Sequence, residues 1–173
     1  KINQYLSVDL NDTATIANWL SQVQPTHIIH LAALSFVVSN DPLLFYRVNV
    51  LGTESLLHAI EQSNLHLEKI IVASSANIYG NAVTSPINEN SLPQPQNHYA
   101  LSKLVMEHLV RRWFDRLPMI ITRPFNYTGP GQSERFVFAK IVGAFRRREP
   151  EIKLGNLDVA RDLSDVTYVT EIY

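Results

Sequence analysis

Tyr99 and Lys103 stand four residues apart in YALSK, and upstream of them two adjacent hydroxyls, Ser74 and Ser75, close an apolar run of Ile70, Ile71, Val72 and Ala73. Residues four apart on a helix are neighbours on one face, so a phenol and an ammonium here can share one site. A phenol ordinarily ionises near pH ~10 and a lysine near ~10.4, and a nearby cation favours the phenolate. Lowering the phenol to about 7 takes roughly 4 kcal/mol of differential stabilisation, at about 1.36 kcal/mol per pH unit. The chemistry open to such a set is proton transfer at a substrate oxygen, with Tyr99 moving the proton and Ser75 hydrogen-bonding that oxygen. Seven tyrosines and five lysines in 173 residues produce roughly 0.2 such pairs by chance. The pair alone therefore reads as well as a surface helix with a snorkelling lysine; the strand-borne serines and the motifs below tip the balance.

Positioning these groups requires a short buried strand over 69–73 that delivers the serines at its carboxyl end. It also requires a helix from about 98 to 115 that carries Tyr99 and Lys103. The rest of the chain repeats that rhythm. Residues 5–9 read as the tail of a strand ending in Asp9, and Asp12 or Thr13 can cap a helix with Ile16, Leu20 and Val23 on its apolar face. His27 to Ala33 is a compact apolar run, read as a strand passing into small residues. Asp41-Pro42 is a good helix start, and that helix extends to about Ser63, with Gly52 marking close packing. Met119–Thr122 is a further strand, Gly129-Pro130-Gly131 a tight loop, and residues 136–147 a helix. Short strands are expected at 152–154 and 159–163, and another helix at the end. Strands with continuous apolar runs, alternating with helices, argue a doubly wound parallel α/β sheet with both faces covered.

Composition narrows the function classes. An apolar fraction of 46%, a charged fraction of 18% and a net charge of −1 describe an ordinary globular chain. The one basic run, Arg146-Arg147-Arg148, falls at a helix end, where cations complement the dipole, so nucleic acid is not an expected partner. The absence of cysteine removes disulfides, a thiol nucleophile and thiolate metal sites, and no metal is expected. It fits a reducing compartment, the cytoplasm. The apolar stretches are strand-sized, so no membrane span is expected.

HLAA at 30–33, NVLGT at 49–53, SSANIYG at 74–80, YALSK at 99–103, RPFN at 123–126 and RD at 161–162 stand in this order along nearly the whole chain. In these motifs the sequence resembles the extended short-chain dehydrogenase/reductases, the NAD-dependent epimerase/dehydratase family. RPFNYTGPGQ at 123–132 and GNLDVARD at 155–162 are most similar to its GDP-6-deoxy-4-keto-sugar reductases; the second segment is shared with the GDP-mannose 4,6-dehydratases. The resemblance implies a Rossmann-like core over 1–133 and, interleaved with it, part of a substrate-binding lobe over 134–173. That fold needs a glycine-rich turn after its first strand for the pyrophosphate. No G-x-x-G-x-x-G occurs here, so the sequence reads as the middle of a larger enzyme lacking its first strand–helix–strand unit.

The resemblance implies an NAD(P)-dependent reductase acting on the 4-keto group of a GDP-6-deoxy-4-keto-hexose. A nucleotide-sugar 4-epimerase, a 4,6-dehydratase or a non-catalytic nucleotide-sugar-binding protein are the alternatives. Ser75, Tyr99 and Lys103 would be catalytic, an oxidised nicotinamide adding to the lysine's effect on the phenol. Asp9 would accept from the adenine, Leu31, Ala32 and Ala33 would lie along NAD or NADP, and Ser74, Pro124 and Phe125 would meet the nicotinamide. Ser35, Asn77 and Asn126 would face the sugar, and Arg135, Lys140 and Arg161 the nucleotide diphosphate; an arginine fork can hold two phosphate oxygens at once. Asn49 matches an asparagine that the family keeps near the active site. Asn77 occupies the place where the dehydratases carry a glutamate, and an amide cannot serve as the acid–base group that dehydration needs. Tyr168 stands where the reductases carry an acid. Two long helices, 41–63 and 98–115, are similar to those that pair across the family's homodimer.

Overall fold

The computed structural model describes residues 4–35, 41–82, 85–156, 158 and 160–173. Three short strands, β1 (His27–His30), β2 (Lys69–Ala73) and β3 (Met119–Thr122), form a parallel sheet in the order β1-β2-β3. The register sets Ile28 beside Ile70 and Ile70 beside Met119. Parallel neighbours need a crossover between them. Between β1 and β2 it is a long helical stretch of α2 (Leu43–Tyr46), a π-helical segment (Arg47–Gly52) and α3 (Thr53–Gln62); between β2 and β3 it is α4 (His98–Arg111). This is the expected Rossmann-like parallel architecture.

Local chemistry explains the boundaries. Before β1, α1 (Thr13–Val23) starts at Asp12, whose carboxylate accepts from Thr15 N at 3.1 Å, and ends at Gln24 in the left-handed conformation. Asp41 accepts from Leu43 N at 2.9 Å at the start of α2, and Asn97 accepts from Ala100 N at 2.9 Å at the start of α4. Gly52 sits where the long helical stretch meets the segment before α1: a Cβ there would stand 3.1 Å from Leu10 Cβ.

The core lies on one face of the sheet. Ile16 and Leu20 of α1, Val50, Leu57 and Ile60 of the long helical stretch, Ile70 and Val72 of β2, and Met106 and Val110 of α4 pack into one buried cluster with Trp113. The strands were expected to be covered on both faces. Ile29, Ile71 and Ile120 share a row on the second face, and Ile29 and Ile120 are 51% and 46% exposed. Ile71, between them on the central strand, is half-buried.

Three other expectations differ. Residues 4–9 form no strand: Val8 and Leu10 pack on the core, while Asp9 closes a turn, its carbonyl accepting from Asp12 N at 2.9 Å. Residues 152–154 also form no strand. Of 159–163 only Leu163 enters one, and Val159 lies outside the described residues. The helix with Tyr99 and Lys103 ends at Arg111, the chain turning before β3.

The chain divides into two compact units, Lys1–Arg123 and Pro124–Tyr173, ahead of the 133/134 boundary read from the sequence. The second unit holds β4 (Asn126–Thr128), α5 (Val137–Arg147), β5 (Leu163–Asp165) and α6 (Val166–Ile172). β4 and β5 pair in parallel, Asn126 beside Leu163. Asp165 caps α6 by accepting from Thr167 N at 2.7 Å, so an acid stands at this helix start.

Candidate active site

The carboxyl end of β2 carries the candidate chemistry of the first unit. Beyond Ala73 the chain leaves the sheet through Ser74, whose N–H donates to Thr122 O of β3 at 2.8 Å. Ser75 then opens a 3-10 turn (Ala76–Tyr79), its hydroxyl accepting from Asn77 N at 3.2 Å. This capping bond fixes the Ser75 side chain at the mouth of the turn, and Gly80 ends it at φ +58°, where a Cβ would meet Gln94 O at 2.0 Å. Ser74 is buried, and among the described residues its Oγ has no hydrogen-bond partner. A buried hydroxyl left this way costs about 1–3 kcal/mol, which suits a site where a ligand amide completes the bond.

On α4, Tyr99 is half-buried, its ring centroid 6.2 Å from that of Phe45. One turn on, Lys103 is 3% exposed and its ammonium donates to Ala73 O at 2.8 Å. The lysine is thereby tied to Ala73, the last residue of β2, directly before Ser74 and Ser75. Burial pushes the Lys103 ammonium down to about 8, against an upward pull from Glu107.

Two further sets of groups frame this centre. Asn49, fully buried in the π-helical segment, accepts from Leu34 N at 2.8 Å and donates to Leu34 O and to Ser102 Oγ, each at 3.0 Å. Ser102 in turn donates to Tyr99 O at 2.7 Å. One amide therefore ties the loop after β1 to the helix with Tyr99; π-helical turns recur at functional sites. His30 Nε2 lies 2.9 Å from Thr53 Oγ1, whose hydroxyl donates to Asn49 O at 2.8 Å. The second set is ionic: Arg123 donates through Nε and NH2 to the two oxygens of buried Glu107, at 2.9 and 2.6 Å, and through NH1 to Tyr79 OH at 2.7 Å. The carboxylate holds the guanidinium well above its usual range.

The remaining sequence candidates of the first unit are nearer solvent. Leu31, Ala32, Ala33 and Ser35 are exposed in the loop after β1, and Asn77 is exposed in the 3-10 turn. Asp9 is exposed and accepts from Asn11 N and Nδ2, both at 2.9 Å, which keeps its carboxyl below the usual range. In the second unit, Pro124 is half-buried and Phe125 exposed. Asn126 Nδ2 donates to Asp162 O at 3.3 Å. Arg135 and Arg161 are exposed, and half-buried Lys140 donates to Lys153 O. Among the described residues no group of three or more His, Cys, Asp or Glu could hold a metal ion, and no helix is long and apolar enough to cross a membrane.

Glu107 falls in none of the sequence motifs, and His30, Thr53 and Arg123 enter them only as letters of HLAA, NVLGT and RPFN. A signal for Glu107 was present: an acid four residues beyond Lys103, between the core positions Met106 and Val110.

Residues 2–173 match the family model for GDP-mannose 4,6 dehydratase. A GDP-6-deoxy-D-talose 4-dehydrogenase of Aggregatibacter actinomycetemcomitans is 39% identical over 96% of this chain and 56% of its own length. A GDP-6-deoxy-D-mannose reductase of Pseudomonas aeruginosa is 34% identical over 86% of this chain and 52% of its own. The solved structure of RMD from Pseudomonas aeruginosa complexed with NADPH superposes with a TM-score of 0.86 at 31% identity, covering 98% of this chain and 60% of that one. The chain thus spans about half the length of the curated relatives it matches. With the parallel sheet, the Tyr99–Lys103 helix and a match over almost every residue, the chain belongs to the GDP-mannose 4,6-dehydratase family within the extended short-chain dehydrogenase/reductases.

Proposed function

We propose that this chain carries the proton-transfer centre of an NAD(P)-dependent GDP-sugar oxidoreductase acting at C4 of a GDP-6-deoxy-4-keto-hexose. The observation behind this reading is Lys103: a buried ammonium, bonded to the strand carbonyl next to Ser74 and Ser75, one helical turn from Tyr99. The nicotinamide, when bound, supplies the hydride. Tyr99 gives its phenolic proton to the C4 oxygen as the ketone becomes an alcohol, and takes one back in the reverse direction. Ser75 donates a hydrogen bond to the same oxygen. An ammonium has three N–H donors; Ala73 takes one from Lys103, and the others can hold the ribose hydroxyls while the charge favours the phenolate.

Leu31, Ala32 and Ala33 let the dinucleotide approach the loop after β1, Ser74 Oγ takes its carboxamide, Asp9 its adenine, and Pro124 and Phe125 flank the nicotinamide. Ser35, Asn77 and Asn126 serve the sugar. The second unit, as the start of a substrate lobe, offers Arg135, Lys140 and Arg161 to the diphosphate. Exposed Leu43 and Leu51 on the long helical stretch and Leu101 and Val105 on α4 suit a homodimer. A cysteine-free chain suits the cytoplasm.

A 4,6-dehydratase is the second reading, favoured by the family model and opposed by Asn77, since an amide can neither remove nor deliver the protons dehydration requires. The absorbance of reduced nicotinamide with a GDP-4-keto-6-deoxy-hexose separates the two: steady consumption marks the reductase, and a dehydratase cycle consumes none. Tyr99→Phe should lower turnover about 10²–10⁴-fold with nucleotide binding retained. Undiminished turnover in that variant would rule out the assignment.

A further inference from the structure

We propose that Glu107 is a positioning residue: the buried counter-ion of Lys103, anchored by Arg123 and Tyr79 so that α4 and the turn with Ser75 are held in one arrangement. The idea deepens the reading above and rests on it.

Glu107 is fully buried and one helical turn beyond Lys103, which is itself one turn beyond Tyr99, so all three share a face of α4. Its carboxylate accepts both arms of the Arg123 fork at 2.9 and 2.6 Å, and Arg111 NH2 stands 3.5 Å from Oε2. The third arm of Arg123 reaches Tyr79 OH at 2.7 Å and Glu89 O at 3.2 Å, and the guanidinium carbon lies 5.2 Å from the Tyr79 ring centroid. Tyr79 closes the 3-10 turn that Ser75 opens. The ion pair therefore spans three places: the face with Tyr99 and Lys103, the end of β3, and the turn with Ser75.

Stability alone does not account for such a pair. Replacing a buried ion pair by apolar side chains of similar volume is often neutral or stabilising. What apolar side chains cannot supply is negative charge beside a buried ammonium. Around Lys103 stand the Ala73 carbonyl of β2, which it bonds, and His30 of β1, whose imidazole feels its charge; Tyr99 and Glu107 lie one turn to either side on its own helix, with Arg123 and Tyr79 beyond the carboxylate. Among these Glu107 supplies the negative charge, and its pull on Lys103 runs opposite to burial. Removing that charge while Arg123 stays would leave buried Lys103 and half-buried Arg123 without the carboxylate between them. Lys103 would then lose its proton at lower pH, and Tyr99 the neighbour that favours its phenolate.

The test is Glu107→Gln, read first by NMR titration of the lysine ε-carbons, the Lys103 signal being the one missing from Lys103→Met. In the parent protein, where burial pushes Lys103 down to about 8, the midpoint should lie near that value; in Glu107→Gln it should fall by about one further pH unit or more. Glu107→Asp, which keeps the charge, should stay near the parent. If Glu107→Gln does not fold, Glu107→Leu with Arg123→Met removes the whole ion pair, and the midpoint should again fall. A midpoint unmoved in the folded neutral variant overturns the proposal. The alkaline limb of kcat/KM should move by the same amount, with KM for the sugar nucleotide unchanged. Because the lysine titration needs no turnover, a parent protein inactive on GDP-keto-sugars would sink the functional reading while this inference is still decided.

Discussion

Acidification should destabilise the first unit through His30 in particular. The imidazole is 6% exposed and its Nε2 lies 2.9 Å from Thr53 Oγ1. Thr53 gives its single hydroxyl hydrogen to Asn49 O at 2.8 Å, so it can only accept from the ring. The bond is therefore satisfied by the neutral tautomer with its proton on Nε2. Burial, and secondarily the charge of Lys103, pulls the imidazole from 6.5 down to about 4. Within that window the unfolded chain binds a proton that the folded chain refuses. Stability is thus whole above pH 6.5 and is lost as pH falls through the window. At about 1.36 kcal/mol per pH unit the full loss is about 3 kcal/mol, a large part of the 5–15 kcal/mol typical of a domain. Urea unfolding at about pH 7 and about pH 4.5 measures it, with His30→Gln as reference because its amide can still donate to Thr53. The parent should lose about 2–3 kcal/mol more than the variant between the two conditions; the carboxylates common to both cancel. Equal losses in the two proteins would refute the reasoning. In Lys103→Met most of the effect should persist, since burial is its larger cause.

Asn49→Leu removes three hydrogen bonds, two to Leu34 and one to Ser102. At about 1 kcal/mol each it should cost about 3 kcal/mol. Hydrogen exchange at the Leu34 amide reads it directly, and a protection factor equal to the parent's would contradict the assignment. Ser74→Ala removes a buried hydroxyl that has no partner among the described residues, so stability should hold or rise by about 1 kcal/mol while NAD(P)H affinity falls. Calorimetric binding alongside thermal unfolding tests this, and a loss of stability without a loss of affinity would count against a ligand role.

The local rules wrote much of this protein into its sequence. Asp12, Asp41 and Asn97 cap helices because short polar side chains ahead of apolar periodicity satisfy free N–H groups. The apolar runs 27–30, 69–73 and 119–122 pair in parallel because only crossovers join them. The spacing of Tyr99 and Lys103 puts them on one helix face whatever surrounds that helix. Tertiary structure decided the rest. The run 5–9 has strand character but makes no ladder, because pairing is a property of two segments. Ile29 and Ile120 read like their buried strand-mates, yet which face a strand buries depends on where its helices cross. The carboxylate of Glu107 and the guanidinium of Arg123 meet across a gap in sequence, and only folding shows that this carboxylate is buried with its partner and not in solvent.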